Sequence, residues 1–391
     1  MKFKRIFAIV LDSFGVGHAV DKEKYGDSIA NTALHIDEKV NGLNVPNLEK
    51  LGFGHLDSYV GIKPIKNYIG YIGRLAETSN GKDTMTGHWE MMGINTQVPF
   101  KVFTDTGFPK ELIDLLEEKT GHKIIGNKSA SGTEIIKEYG ERQLETHELI
   151  VYTSSDSVLQ IAANEAIIPV EKLYEYCEIA REITMKEDWK VGRIIARPFV
   201  GTNKDNFKRT PKRHDYALSP STDTYLDLLK NNGYSVISVG KIADIFNNKG
   251  IGESNKTVSN EDGMNKTIDI AKNRDFEGLC FVNLVDFDME YGHRRNTEGY
   301  AKSLEEFDKQ LGELLPLLKE DDLLILTADH GNDPTAPGSD HTREEVPFIL
   351  YSPSFNQGKI IEKGVTFANI GATIAANFGL QNNDLLGKNI L

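Results

Sequence analysis

Short apolar runs recur along the chain, and each has the length of a buried strand. The runs are FAIVL (7–11), LIVYT (149–153), SVISVG (235–240), CFVNLV (280–285), LLILTA (323–328) and FILYS (348–352). Continuous apolar runs of this kind are typical of parallel strands that are covered on both faces. Helix-like patterns lie between them, for example at 110–119 and 300–320. This alternation predicts a doubly wound α/β sheet.

Composition and charge narrow the class of protein. The chain has 391 residues, a net charge of -13 and only two cysteines, Cys177 and Cys280, without C-x-x-C spacing. The acidic balance excludes nucleic-acid binding through the whole surface, and so few cysteines argue against a disulfide framework. The amino-terminal apolar run is short and lacks a cleavage site, so it predicts a first strand. No run approaches 18 apolar residues, so we expect no membrane span, and the low cysteine content favours a reducing compartment, which we expect to be the cytoplasm.

Six carboxylate and imidazole side chains follow the strand-like runs. They are Asp12, Asp288, His293, Asp329, His330 and His341. Open α/β sheets bind ligands at the carboxyl ends of their strands, and three or four such side chains hold one metal ion. Three carboxylates and two divalent cations leave a charge near +1, which suits a phosphate group. The set therefore predicts a dinuclear site for phosphoryl transfer, in which manganese and zinc remain open.

Alternatives remain for several of these residues. Asp286 competes with Asp288, which we prefer because its spacing to His293 is nearer a single turn. Asp12 alone could cap a helix. The pairs Asp329-His330 and Asp340-His341 could each belong to a charged turn.

The segment GKDTMTGHWEMMG at 81–93 offers two candidate nucleophiles, Thr84 and Thr86. An alcohol needs a base or a metal to become a useful nucleophile at neutral pH. A helix that begins near Met85 would direct backbone N–H groups at a phosphoryl oxygen. The alternative is that the threonines only cap this helix.

Residues 100–216 contribute no ligand to this set and contain their own helix and strand patterns. We expect an inserted α+β domain there, with a core built from 1–99 and 217–391 and hinges near 97–100 and 214–219. The insert carries a basic patch, and the guanidinium groups of its arginines can each bind a phosphate through two hydrogen bonds. Outside this patch, Asp156 could hold sugar hydroxyls. The patch could also be a solvated face, and Asp156 could form a turn. Its members are Arg193, Arg197, Lys208, Arg209, Lys212, Arg213 and His214.

Taken together, the motifs resemble the phosphopentomutases, a family of alkaline phosphatase-like metalloenzymes. The matching segments include FAIVLDSFGVG, GKDTMTGHWEMMG, YTSSDSVLQIAA, RTPKRHDYAL, NLVDFDMEYGHRR and TADHGNDPTAPGSDHTREEVP, and they span residue 7 to about residue 353. DHG occurs across the superfamily, whereas GKDTMTGHWE together with RTPKRHDYAL is far more specific. His18 departs from the family, where an acidic residue is expected.

The resemblance implies an alkaline phosphatase-like core with an inserted cap domain and a role for each site residue. Thr84 would carry the phosphoryl group between two divalent ions, expected to be manganese. One ion would be held by Asp288, His293 and His341, and the other by Asp12, Asp329 and His330. The sugar phosphate would be bound from the cap by Asp156, Arg193 and Arg209, and Arg213 and His214 of the basic patch are further candidates for substrate binding.

The implied reaction interconverts ribose 1-phosphate and ribose 5-phosphate, and their 2-deoxy forms, through a pentose 1,5-bisphosphate. A bisphosphate such as glucose 1,6-bisphosphate would prime the enzyme, which we expect to be a monomer or a weak homo-oligomer. The alternative enzymes are a metal-dependent phosphoglycerate mutase, whose nucleophile is a serine, and a phosphatase. A non-catalytic protein with structural metals is disfavoured, because three ligands for each ion leave open positions.

Overall fold

The computed structural model of the protein describes residues 2–154, 156–361 and 366–391. The strands are β1 (Arg5–Leu11), β2 (Tyr71–Leu75), β3 (Ile124–Ser129), β4 (Leu149–Thr153), β5 (Val158–Asn164), β6 (Arg193–Val200), β7 (Lys208–Arg209), β8 (His214–Ala217), β9 (Ser235–Val239), β10 (Glu253–Asn255), β11 (Gly278–Leu284), β12 (Asp322–Thr327), β13 (Val346–Tyr351) and β14 (Lys359–Ile360). The helices are α1 (Thr32–Lys39), α2 (Pro46–Leu51), α3 (Thr84–Met91), α4 (Lys110–Thr120), α5 (Gly132–Thr146), α6 (Val170–Ile183), α7 (Tyr225–Asn231), α8 (Ile242–Ile245), α9 (Asn260–Asn273), α10 (Thr297–Leu314) and α11 (Asn369–Asn377). Within these residues, none of the helices combines the length and the apolar character that a membrane crossing needs.

The chain divides into two compact units. The first contains Met1–Pro99 and Ser219–Leu391, and the second contains Phe100–Leu218. In the first unit the described strands form one sheet in the order β10-β9-β11-β1-β12-β13-β2-β14. The five strands from β10 to β12 run parallel. Strand β13 is antiparallel to both of its neighbours, so the prediction of a parallel strand at 348–352 is wrong in direction.

The order of the central strands positions the predicted site. Strands β11, β1 and β12 are parallel neighbours, and the chain reaches Asp12 directly after β1 and Asp329 two residues after β12. After β11 the chain enters a π-helix, Phe287–Gly292, which contains Asp288. Parallel strands bring their carboxyl ends to one edge of the sheet, so these three carboxylates lie at the same edge.

The second unit has its own mixed sheet, in the order β3-β4-β5-β6-β7, with β8 pairing with β6. One face of this sheet packs against α4 and α6 through side chains such as Leu116 and Leu173. The other face packs against α5 through Ile135 and Ile136. With apolar side chains buried on both faces, the unit has a hydrophobic core of its own.

A buried ion pair joins β1 and β12 at the end of the sheet opposite to Asp12. Arg5 Nε and Nη2 donate to the two carboxylate oxygens of Asp322 at 2.8 and 2.6 Å, and both side chains are almost fully buried. Arg5 Nη1 also donates to the carbonyls of Ala271 and Arg274 at 2.9 and 2.7 Å. The guanidinium group therefore ties both strands to the end of α9.

We expect Arg5→Ala to lower the free energy of unfolding by about 3–5 kcal/mol, because Asp322 would remain buried without its counter-charge. The measurement is equilibrium unfolding in urea, followed by circular dichroism. Lys4→Ala is the matched control, because Lys4 pairs with Asp275 on the surface and should change stability very little. Equal stabilities for the two variants would contradict this account.

Candidate active site

Each of the three carboxylates at the sheet edge accepts a hydrogen bond from a neutral amide group of the protein. Asn283 Nδ2 donates to Asp12 Oδ2 at 2.7 Å, and the Ser13 N–H donates to Asp329 Oδ1 at 3.0 Å. Asn332 Nδ2 donates to Asp288 Oδ1 at 2.7 Å. Asp12 Oδ1 is buried and accepts no hydrogen bond from the described residues, and the buried Asp329 Oδ2 has His88 Nδ1 3.2 Å away. Both lie close to His330 Nε2, at 3.5 and 3.3 Å.

The π-helix brings Asp288 and His293 together. The His293 N–H donates to the carbonyl of Asp288 at 3.0 Å, five residues back, and the two side chains meet with Nε2 3.1 Å from Oδ2. The competing carboxylate, Asp286, instead accepts from the N–H of Asn260 at 2.7 Å, at the start of α9. The π turn therefore directs Asp288, and not Asp286, toward the histidines.

Each of the three histidines directs its Nδ1 at a backbone carbonyl. Nδ1 of His293 lies 2.6 Å from the Ser339 carbonyl, Nδ1 of His330 lies 3.0 Å from the Gly331 carbonyl, and Nδ1 of His341 lies 2.9 Å from the Lys82 carbonyl. A carbonyl only accepts, so each ring donates from Nδ1, and Nε2 is the atom that would bind a metal once it has lost its proton.

The six predicted side chains come together as two adjoining groups. Ligand atoms of Asp12, Asp329 and His330 lie within 4.8 Å of one another, and so do those of Asp288, His330 and His341. His293 Nε2 joins the second group, 3.1 Å from His341 Nε2. His18 belongs to neither group and pairs with Asp57 at 2.9 Å. Carboxylate oxygens and imidazole Nε2 atoms that converge are the donor set a divalent cation requires, so the residues fit two such ions.

Without a cation, this cluster has strongly perturbed protonation. Burial, followed by the charges of Asp329 and Asp288, raises the pKa of Asp12 to about 7. Burial alone would lower the pKa of His330, but Asp329, Asp12 and Asp288 outweigh it and raise that pKa to about 9. The unmetallated site therefore holds protons near neutral pH that a metal ion must displace.

Thr84 and Thr86 differ in what their hydroxyl groups contact. Thr84 is the first residue of α3, and its Oγ1 lies 3.2 Å from His330 Nε2. Thr86 is fully buried and its hydroxyl donates to the carboxylate of Asp83, the N-cap residue. Only the Thr84 hydroxyl thus lies beside a predicted metal ligand.

The prediction that backbone N–H groups at the start of α3 are directed at a phosphoryl oxygen is wrong in part. Asp83 Oδ1 accepts from the N–H groups of Met85 and Thr86, each at 3.1 Å. These two amides are therefore already bonded and are not directed at a phosphoryl oxygen.

Sequence reasoning missed several polar residues that contact the ligands. Asn283 and Asn332 each orient a carboxylate, and both lie inside segments quoted above for their acidic and histidine residues, where the amides were passed over. His88, fully buried one turn after Thr84, has Nδ1 2.8 Å from the Thr84 carbonyl and 3.2 Å from Asp329 Oδ2. The i, i+4 spacing of Thr84 and His88 on α3 is the signal that could have identified the histidine.

The predicted substrate-binding residues all lie in the second unit. Arg193 Nη2 donates to Asp156 Oδ2 at 3.0 Å, and Arg213 forms a bidentate pair with Asp215, at 2.6 Å for each bond. The ring of His214 packs between those of Tyr174 and Tyr216. Two of the predicted arginines are therefore engaged by carboxylates, which reduces the positive charge of the patch.

Arg209 is placed differently from these two arginines. No described carboxylate forms an ion pair with it, and a Cβ atom added at Gly132 would lie 3.1 Å from its Nη1. Because Gly132 is the first residue of α5, the guanidinium group lies at the amino-terminal end of that helix.

Comparison with known proteins identifies the family to which this chain belongs. A model described as the metalloenzyme superfamily matches residues 4–382. Phosphopentomutases of Clostridium perfringens and Agathobacter rectalis are 59% and 57% identical over 391 residues, with 100% of this chain and 98% and 99% of the relatives covered. The chain belongs to the phosphopentomutase family. Membership confirms the resemblance noted in the sequence.

The fold of this phosphopentomutase family member also has a solved counterpart. A protein from Pyrococcus horikoshii is 14% identical and gives a TM-score of 0.50, with 98% of this chain and 99% of that chain covered. At this identity the likeness concerns the fold alone. Together with the family match, it confirms the expected α/β, alkaline phosphatase-like architecture.

We expect the affinity for a divalent ion at the Asp12, Asp329 and His330 group to rise with pH. Binding must remove the proton that His330 holds up to pH about 9. Each rise of one pH unit between 7 and 9 should therefore strengthen the binding of the divalent ion by roughly tenfold. Competition with a chelating dye, at pH 7, 8 and 9, measures this change. An affinity that stays constant across this range would contradict the protonation described above.

Proposed function

We propose that the chain interconverts ribose 1-phosphate and ribose 5-phosphate, and the 2-deoxy forms, with Thr84 as the phosphoryl carrier. The main support is the position of the Thr84 hydroxyl, 3.2 Å from Nε2 of His330, where the two ligand groups adjoin. Near-full-length identity of 59% to a phosphopentomutase supports the choice of substrate.

Two divalent ions would be held by the six side chains, Asp12, Asp329 and His330 for one and Asp288, His293 and His341 for the other. When bound, such ions supply positive charge that lowers the pKa of the Thr84 hydroxyl and stabilises a transferring phosphoryl group. We propose manganese, because three carboxylate oxygens and three imidazole nitrogens form a mixed donor set that this ion accepts.

The protein's own groups would then position the transfer. Phosphorylated Thr84 gives its phosphoryl group to the free hydroxyl of the sugar monophosphate, so the bond from phosphorus to Oγ1 breaks as a bond to the sugar oxygen forms. In the balanced step the proton of the sugar hydroxyl ends on Oγ1 of Thr84, which regains its hydroxyl, and a pentose 1,5-bisphosphate results. Return of the other phosphate to Thr84 restores the phosphoenzyme and releases the isomeric monophosphate. A bisphosphate such as glucose 1,6-bisphosphate would load Thr84 at the start.

The second unit would act as a cap domain that binds the sugar phosphate. Asp156 and Arg193 form a hydrogen-bonded pair suited to sugar hydroxyls. Arg209 suits a phosphate, because it lacks a carboxylate partner among the described residues and lies at the positive end of α5. Arg213 and His214 would contribute to the same surface. A monomer or weak homo-oligomer in the cytoplasm stays a prediction.

We expect Thr84→Val to abolish mutase turnover and covalent phosphorylation while the fold is kept, because valine has the shape of threonine but no hydroxyl. The assay couples ribose 5-phosphate and Mn²⁺ to detection of ribose 1-phosphate, with and without glucose 1,6-bisphosphate. Intact-protein mass spectrometry detects the phosphoryl group on the enzyme. Thr86→Ser is the control, because serine retains the bond to Asp83.

Activation of the wild type by the bisphosphate would support the mutase cycle. Release of free phosphate without isomerisation would point to a phosphatase, and turnover by Thr84→Val would remove Thr84 as the carrier.

We expect Arg209→Ala to raise KM for ribose 5-phosphate by about ten- to a hundredfold, because a charge-assisted bond to the phosphate would be lost. Lys208→Ala is the matched control from the same short strand, and it should leave KM within about twofold. Steady-state kinetics of both variants test this. If both variants raise KM equally, the effect is one of general charge, and the specific role of Arg209 is wrong.

A further inference from the structure

Arg295 stands two residues after the ligand His293 and makes an unusually complete set of hydrogen bonds. Its backbone is in the left-handed region, with φ of 52°, which is uncommon for a residue other than glycine. Its side chain donates to five acceptors: the carbonyls of Gly292 (2.9 Å), Pro337 (3.5 Å), Gly338 (2.6 Å) and Asp340 (3.0 Å), and Oδ1 of Asn332.

Five acceptors match the full donor capacity of a guanidinium group, which has five N–H bonds. Nε serves Gly338, Nη1 serves Gly292 and Asn332, and Nη2 serves Asp340 and Pro337. No N–H is left over for a substrate phosphate. The role of Arg295 must therefore lie in what it holds.

Three of the acceptors belong to the loop that leads into His341. Arg295 binds the carbonyls of Pro337, Gly338 and Asp340, and His293 Nδ1 donates to Ser339 within the same loop. One side chain thus fixes the backbone directly before His341 and the carbonyl that orients the ring of His293.

Arg295 is also linked to Asp288, through the side chain of Asn332. Asn332 is fully buried, accepts from Arg295 through Oδ1 and donates to Asp288 Oδ1 through Nδ2 at 2.7 Å. The bond from Arg295 fixes which end of the amide faces the carboxylate. Gly292 permits this approach, since a Cβ there would lie 2.9 Å from Cγ of Asn332.

We propose that Arg295 is a positioning residue for one half of the metal centre, the group formed by Asp288, His293 and His341. It acts on all three ligands, through Asn332 and through residues 337–340, without contacting the ion itself. The Asp12, Asp329 and His330 group is oriented by other residues, namely Asn283, Ser13 and Gly331. This inference rests on the two-ion site proposed above.

The test compares Arg295→Gln and Arg295→Lys with Arg294→Gln by calorimetric titration of metal-free protein with Mn²⁺. We expect the wild type to bind two ions. Both Arg295 variants should weaken one of them by about ten- to a hundredfold and leave the other within about twofold. Arg294 is the matched control, because its side chain is largely exposed and pairs only with Glu290 among the described groups. Arg294→Gln should therefore bind both ions like the wild type.

A second variant keeps the outcome interpretable if Arg295→Gln does not fold. Asn332→Ala should weaken the same ion, and combining it with Arg295→Lys should weaken that ion by less than the product of the two single effects. Unchanged affinities in all of these variants, or equal weakening of both ions, would overturn the proposal.

Asp288→Asn separates this proposal from the one on which it rests. If Asp288→Asn loses one ion and the Arg295 variants bind both normally, only the positioning role fails. If Asp288→Asn still binds two ions tightly, the metal site itself has been assigned wrongly.

Discussion

The parallel strands bring three carboxylates close together, and the electrostatic repulsion among them is the constraint that the rest of the site must satisfy. Asp12, Asp288 and Asp329 are almost fully buried at one edge of the sheet, and their charges repel one another. The repulsion is visible in the pKa of Asp12, which burial and its two acidic neighbours raise to about 7. Fixing negative charge in this way is costly unless positive charge compensates for it.

The surrounding residues relieve this conflict only in part. Each carboxylate accepts one hydrogen bond from a neutral donor, Asn283, Ser13 or Asn332. His293 and His341 hold the pKa of Asp288 well below its usual range, against the effect of burial. Two divalent cations would outweigh the three negative charges and leave the site near +1, so relief of the repulsion between the carboxylates would contribute to the affinity for metal. The same three buried carboxylates therefore affect both the stability of the fold and the proposed binding of metal.

The nucleophile segment is tied to the same centre by a backbone contact. The carbonyl of Lys82 accepts from Nδ1 of His341 at 2.9 Å, two residues before Thr84. His88 contacts both the Thr84 carbonyl and Asp329. The segment that carries Thr84 is therefore held against the candidate metal ligands by direct contacts within the first unit. Such fixed positions suit a group transfer, whose rate depends on the placement of the reacting groups.

Much of the fold was accessible from sequence, because continuous apolar runs identify buried strands. Direction was not accessible for Val346–Tyr351, since an apolar run looks the same whether the strand is parallel or antiparallel. The six metal-ligand candidates were found through their positions after strands. Asn283 and Asn332 were missed, although they lie in the same segments, because an amide is not a preferred ligand and its role depends on a contact that sequence does not show. Spacing alone could not separate Thr84 from Thr86, whereas the cap bond of Thr86 to Asp83 does. The pairing of Arg213, which lies directly before β8, with Asp215 within that strand was not predicted.

The most direct measurement is anomalous X-ray diffraction from crystals of the protein soaked in Mn²⁺. The account predicts two anomalous peaks, one bonded to Asp12, Asp329 and His330 and the other bonded to Asp288, His293 and His341. A single peak, or peaks bonded to other residues, would contradict the claim that these buried acids and histidines form one dinuclear centre.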